Sequence, residues 1–140
     1  MCVGQVSQLE VQLLSVLRDV VEYVVVDCCC DDDDLVSALA KRECDLAVQL
    51  FSPDPKCISY YASCVNQFVL IGDKRVKVMN VTDNDVYLPI DEAKKHFGGV
   101  DFVLPYERAL KQQMITGTLS ERVGNCRYRG EIGKLAKAVM

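Results

Sequence analysis

Apolar residues recur along this chain in two alternating rhythms, one suited to helices and one to short buried strands. Leu9, Leu13, Val16, Leu17 and Val20 return at helical spacing, which predicts an amphipathic helix over about Gln8 to Val21. Ser7-Gln8-Leu9-Glu10 fits a capping box at its start, with Val6 and Val11 placed as a hydrophobic staple. The rhythm then changes. Tyr23 to Cys28 is a short apolar run, and it predicts a buried parallel strand that delivers Asp27 to the carboxyl edge of a sheet. Further strands are expected at Leu46 to Phe51, Arg75 to Asn80 and Val100 to Leu104.

Helices are expected between these strands. One covers about Leu35 to Arg42 behind the acidic run Asp31 to Asp34. Another starts at Pro53-Asp54-Pro55, with Asp54 as N-cap and Pro55 at the first helical position. Its buried stripe is Ile58, Tyr61, Ala62, Val65, Phe68 and Val69, and Gly72 ends it. A turn at Asp83 to Asp85 leads to a short helix, Ile90 to Phe97, stopped by Gly98-Gly99. Glu107 to Thr116 reads as a helix ended by Gly117, and Arg122 to Tyr128 as irregular. A C-terminal helix turns Ile132, Leu135, Ala136 and Val139 inward. Helices alternating with short apolar strands predict βαβ units, hence an α/β fold with a mostly parallel sheet flanked by helices. No linker or repeat divides the chain, so residues 1–140 are expected to form a single domain.

Composition narrows the function classes. Half the residues are hydrophobic and 26% are charged, which argues for a folded core rather than disorder. A net charge of −4 gives no electrostatic footprint for nucleic acid. No apolar run approaches the roughly 20 residues of a membrane span, and the N-terminus lacks the order of a signal peptide. A cytoplasmic protein is expected. Its eight cysteines are then free thiols rather than disulfides. No C-x-x-C pair occurs and His96 is the only histidine, so structural zinc has little support.

An Asp at the end of such a strand holds the Mg²⁺ of ATP or GTP in P-loop nucleotidases. The Gly-rich loop ending in Gly-Lys-Ser/Thr should precede it. Before Asp27 the sole glycine is Gly4, and no lysine occurs before Lys41. The expectation is the second half of a nucleotide-binding domain without its phosphate cradle.

Four segments carry a resemblance in order and spacing. Glu22-Tyr23-Val24-Val25-Val26-Asp27, after an amphipathic helix, resembles the stretch bearing the Mg²⁺-linked Asp in MinD/ParA-type ATPases. It is more similar still to the CpaE/TadZ branch, which helps position Flp pilus assembly machinery. Phe51-Ser52-Pro53-Asp54-Pro55 resembles the following strand-to-helix turn. Leu88 to Ala93 and Gly99 to Tyr106 resemble the short helix and last strand of that branch, and Met114 to Leu119 its next helix end. The resemblance implies part of a P-loop NTPase fold, Rossmann-like and three-layered, matching the C-terminal half of the family domain. It implies Asp27 as a Mg²⁺ partner. It places Asn80 where the family has an adenine contact, with Val81 in place of the usual Arg, and Pro105 and Tyr106 on the loop bordering the base. It implies ATP and Mg²⁺ for a chain completed by a P-loop half, and no cofactor for this chain alone.

The departures point elsewhere. The family follows its Asp with a Pro- or Gly-containing switch. Here Cys28-Cys29-Cys30 stands there, and Asp31 to Asp34 add negative charge that opposes an anionic ligand. Neighbouring strand residues face opposite ways, so the three thiols cannot all face one metal ion without a bend. His96 sits in a last helical turn with Lys94 and Lys95, where positive charge suits the helix dipole. Lys134 and Lys137 lie opposite the apolar stripe of the last helix, which suits packing better than a membrane surface.

The expected function is a CpaE/TadZ-like localisation or assembly factor, related to pilus or secretion machinery, that acts through protein–protein contacts with nucleotide hydrolysis lost. It would be recruited to a pole or to membrane-associated machinery. The alternatives are the C-terminal fragment of a MinD/ParA-like ATPase and a metal- or thiol-responsive domain using the Cys28–Asp34 run. Self-association is expected through an apolar edge that includes Val24, Val26 and the helix from Gln8 to Val21.

Overall fold

The computed structural model describes residues 8–29, 34–65, 68 and 71–140. The Ser7 capping box with its Val6–Val11 staple, the Cys30–Asp33 part of the cysteine–aspartate run and Val69 lie outside the described residues. Six helices and three strands occur among the described residues, in the order α1 (Gln8–Val20), α2 (Leu35–Glu43), β1 (Ala47–Phe51), α3 (Pro55–Cys64), β2 (Arg75–Asn80), α4 (Ile90–His96), β3 (Phe102–Leu104), α5 (Arg108–Thr116) and α6 (Cys126–Val139). The sheet is parallel with strand order β1-β2-β3, and the fold is α/β and Rossmann-like. Two compact units divide the chain, Met1–Ala47 and Val48–Met140.

In the C-terminal unit, β2 is the middle strand. Val78 and Met79 are adjacent and so face opposite sides of the sheet, yet both are fully buried. That double coverage is what a parallel sheet requires. The core on one side joins Phe51, Met79, Ala93 and Phe97, with Ile58, Tyr61, Leu88 and Val103 around them. Phe97 stacks on Phe51 with ring centroids 4.3 Å apart, and Tyr61 meets it edge-on at 5.3 Å. α6 packs along β3.

Local chemistry sets the element ends. Asp54 caps α3, its carboxylate accepting the Cys57 N–H at 2.8 Å. At the end of α4, Gly98 and Gly99 take φ of 66° and 90°, and the Lys77 ammonium donates to the Phe97 carbonyl at 2.7 Å. Gly117 ends α5 at φ 72°, a conformation that suits glycine.

Several expectations are corrected. Tyr23 to Cys28 is not a strand and has no place in the sheet, which therefore holds three strands rather than four. An apolar run supplies strand propensity, but a strand exists only with a hydrogen-bonded neighbour. Its side chains still alternate. Val24 and Val26, expected at an exposed edge, are half-buried, whereas Val25 is 94% exposed. β3 begins at Phe102, not Val100, because the Asp101 carboxylate accepts the Lys77 N–H at 2.7 Å. α3 stops at Cys64, well short of Gly72, with Ala62 and Val65 exposed. α6 starts inside the stretch expected to be irregular, because the Asn125 side chain accepts the N–H groups of Arg127 and Tyr128.

Candidate functional site

Open α/β sheets bind ligands beyond the carboxyl ends of their strands. In the C-terminal unit those ends lead to Ser52-Pro53-Asp54 after β1, Asn80-Val81 after β2 and Pro105-Tyr106-Glu107 after β3. Asn80 pairs with Leu104 in the parallel register, and the Val81 N–H donates to the Leu104 carbonyl at 2.9 Å. Asn80, Pro105 and Tyr106 are thus brought to one stretch of the sheet edge, all half-buried. The spacing in sequence is 25 residues between Asn80 and Pro105, and it is the parallel pairing that closes that distance.

The helix starts along this edge are acidic. Asp54 also accepts a hydrogen bond from the Ser52 hydroxyl, and that bond together with the Cys57 N–H holds its carboxyl below the usual carboxylate range. Glu107 caps α5 by accepting the Ala109 N–H at 2.8 Å. Burial, with the Glu107 carboxylate nearby, pushes the Tyr128 phenol up. Beside Asp54 a shallow, open depression of about 670 Å³ is lined by Lys56, Cys57, Ser59 and Tyr60 among others.

Asp27 lies in the N-terminal unit, exposed, on the extended segment after α1. The backbone just beyond it is tied to α2. The Cys29 N–H donates to the Ser37 hydroxyl at 3.0 Å, and the Ser37 N–H donates to the Asp34 carboxylate at 2.8 Å. The Ser37 bonds hold Asp34 below the usual carboxylate range. Burial pushes the Cys28 thiol up, which favours the unreactive protonated form.

The starts of α2, α3 and α5 oppose a bound phosphate. Helix starts are natural phosphate sites because their N–H groups lack partners. At α2, α3 and α5 a carboxylate of this chain already accepts from them. A phosphate there would have to displace, and then face, a like charge. Among the described residues no group of three or more His, Cys, Asp or Glu side chains is placed to hold a metal ion. His96 is exposed at the end of α4.

Sequence reasoning found the Asp54 cap but missed Ser37, Glu107 and Asn125. Asn125 carried a readable signal, since Asn is a favoured N-cap. Glu is not, and Ser37 matters through its distance to Cys29, which no local pattern encodes. No protein-family model, curated protein or solved structure matches the chain. Among the described residues no helix is long and apolar enough to cross a membrane.

Proposed function

We propose that this chain is an assembly or localisation factor of the CpaE/TadZ kind, which works in the cytoplasm by binding protein partners and does not turn over nucleotide. The observation that carries the reading is the set of internal carboxylates on the amide-rich starts of α2, α3 and α5. A site built this way repels phosphate and leaves protein contacts as the working surface. Large apolar side chains exposed on the chain, Val25 and Tyr87 among them, support the same reading. Recruitment to a pole or to pilus or secretion machinery follows from the sequence resemblance.

Phosphate release by the purified chain tests it. The expected outcome is no ATP turnover above background, with or without Mg²⁺. Turnover that persists through purification and disappears in Asp27→Ala would refute the reading. A second reading, half of a nucleotide-binding domain, draws on the convergence of Asn80, Pro105 and Tyr106 at one edge. Adenosine binding measured by calorimetry, lost in Asn80→Ala, would favour it instead.

A further inference from the structure

The carboxyl end of α5 is a bare apolar surface with a basic border. Met114, Ile115 and Leu119 are 67%, 72% and 60% exposed. Arg108 and Lys111 are exposed on the same helix. Lys111 precedes Met114 and Ile115 by three and four residues, and Arg108 precedes Ile115 by seven, so the cations and the apolar side chains share one helix face. Among the described residues neither cation pairs with a carboxylate, since the ion pairs there use Arg42, Lys94 and Lys134. No acidic residue occurs between Arg108 and Ser120. The turn that carries Leu119 is tied back to the helix. Its Thr118 N–H donates to the Gln113 carbonyl at 2.9 Å, and the Gln113 side-chain amide donates to the Glu121 carbonyl at 3.1 Å. The patch is therefore a formed surface rather than a loose end. It lies in the unit Val48–Met140, where thirteen basic and ten acidic residues net +3, while three basic and ten acidic residues in Met1–Ala47 net −7.

Exposed apolar patches with polar rims mark interaction sites. Complementary charge around them selects the partner and speeds encounter. Two unpaired cations call for carboxylates, and Met114, Ile115 and Leu119 call for apolar side chains beside them. We propose that this face of α5 docks an acidic amphipathic helix of a partner protein, its carboxylates against Arg108 and Lys111 and its apolar stripe against the other three. Side chains that recur every three to four residues on both helices stay in step along the contact. An extended peptide, with its period of two, does not. An anionic bilayer meets a whole side of the chain, whose net charge of −4 opposes it, whereas a helix meets only the patch. The proposal deepens the assembly-factor reading and rests on it for the protein nature of the partner. The two fail separately, because ATP turnover would refute that reading and leave helix binding at α5 to be measured on its own.

Fluorescence anisotropy of two labelled synthetic helices, titrated with the full chain, tests the proposal. Both peptides run about 18 residues, or five helical turns, with Leu at i, i+3, i+4 and i+7 spacing. One is rimmed with Glu and the other carries Lys at the same positions. The Glu-rimmed peptide should bind with a Kd of roughly 100 μM or tighter, and the Lys-rimmed peptide about tenfold more weakly or worse. Reversing the border with Arg108→Glu and Lys111→Glu should invert that preference. A folding defect would abolish both interactions and could not exchange them. Replacing Met114 and Ile115 with Ser should weaken the Glu-rimmed peptide roughly tenfold while leaving the order of preference intact. All four positions are exposed, so the fold should tolerate the changes. No binding of the Glu-rimmed peptide at about 1 mM chain overturns the proposal. Equal binding of the two peptides does so as well, as does a preference that survives the reversed border. Binding to phosphatidylserine vesicles without binding to the Glu-rimmed peptide, lost on reversing the border, would assign the patch to an anionic lipid surface and overturn it equally.

Discussion

Asp54 shows how much one side chain decides here. Its carboxylate closes the first turn of α3, anchors the Ser52 hydroxyl and takes the place an external anion would want. Asp54→Ala should cost about 1 kcal/mol of stability, the usual worth of a side-chain N-cap. The pH dependence has a definite sign. Because the folded carboxyl is held below the ordinary 3.8, its contribution is complete above that value and is lost as pH falls through the lower folded one. The urea midpoint of the wild type should therefore drop between pH 6 and pH 3, and Asp54→Ala should drop by less. An equal drop in both proteins would show that other groups govern acid sensitivity. Asp34 and Asp91 are depressed in the same direction by Ser37 and Lys94, so the variant should retain part of the slope.

Among the elements, α4 joins the core through Ala93 and through the ring of Phe97 at its end. Phe97 is fully buried, follows the last turn of α4, stacks on Phe51 from β1 and meets Tyr61 from α3. Three elements share that contact, and no smaller side chain could reach all of them. Phe97→Ala should cost about 3–5 kcal/mol, the range for an aromatic deleted from a packed core. The readout is the denaturation midpoint, and a loss under about 1 kcal/mol would mean that the core closes over the gap. The position is legible in sequence as the last apolar residue before Gly98-Gly99. Its partners are not, because Phe51 lies 46 residues away and Tyr61 lies 36.

For the molecule as a whole, burial is concentrated on β2. Val78 and Met79 are fully buried, pair with Phe102 and Val103 on β3, and sit on the middle strand. Amides open through local or global unfolding, and central strands open last. Native-state hydrogen exchange should be slowest at β2 and fast over Tyr23 to Cys28, which lacks a sheet partner. Protection of the Val24 to Val26 amides equal to that of β2 would mean that this segment pairs in solution. The charge split between the units, −7 against +3, also belongs to this scale. The overall −4 conceals it, and it becomes visible only once the unit boundary is known.

Features governed by local chemistry were legible in the residues alone. The Asp54 cap and the Gly98-Gly99 and Gly117 stops arise from residues within a turn or two of one another, and the α/β alternation and three of the four expected strands, read from Leu46, Arg75 and Val100 and found from Ala47, Arg75 and Phe102, were legible as apolar runs. Whether an apolar run becomes a strand was settled instead by tertiary pairing. Val24-Val25-Val26 is as apolar as the β2 sequence Val76-Lys77-Val78-Met79, yet only the latter has neighbours to bond. Tertiary pairing settled the candidate site as well. Asn80 meets Pro105 and Tyr106 through strand register, and the carboxylates that occupy the helix starts take their partners from the folded backbone. Propensity and capping act along the chain, whereas strand pairing, burial and the sharing of hydrogen bonds act across space, and a linear pattern does not fix distances across space.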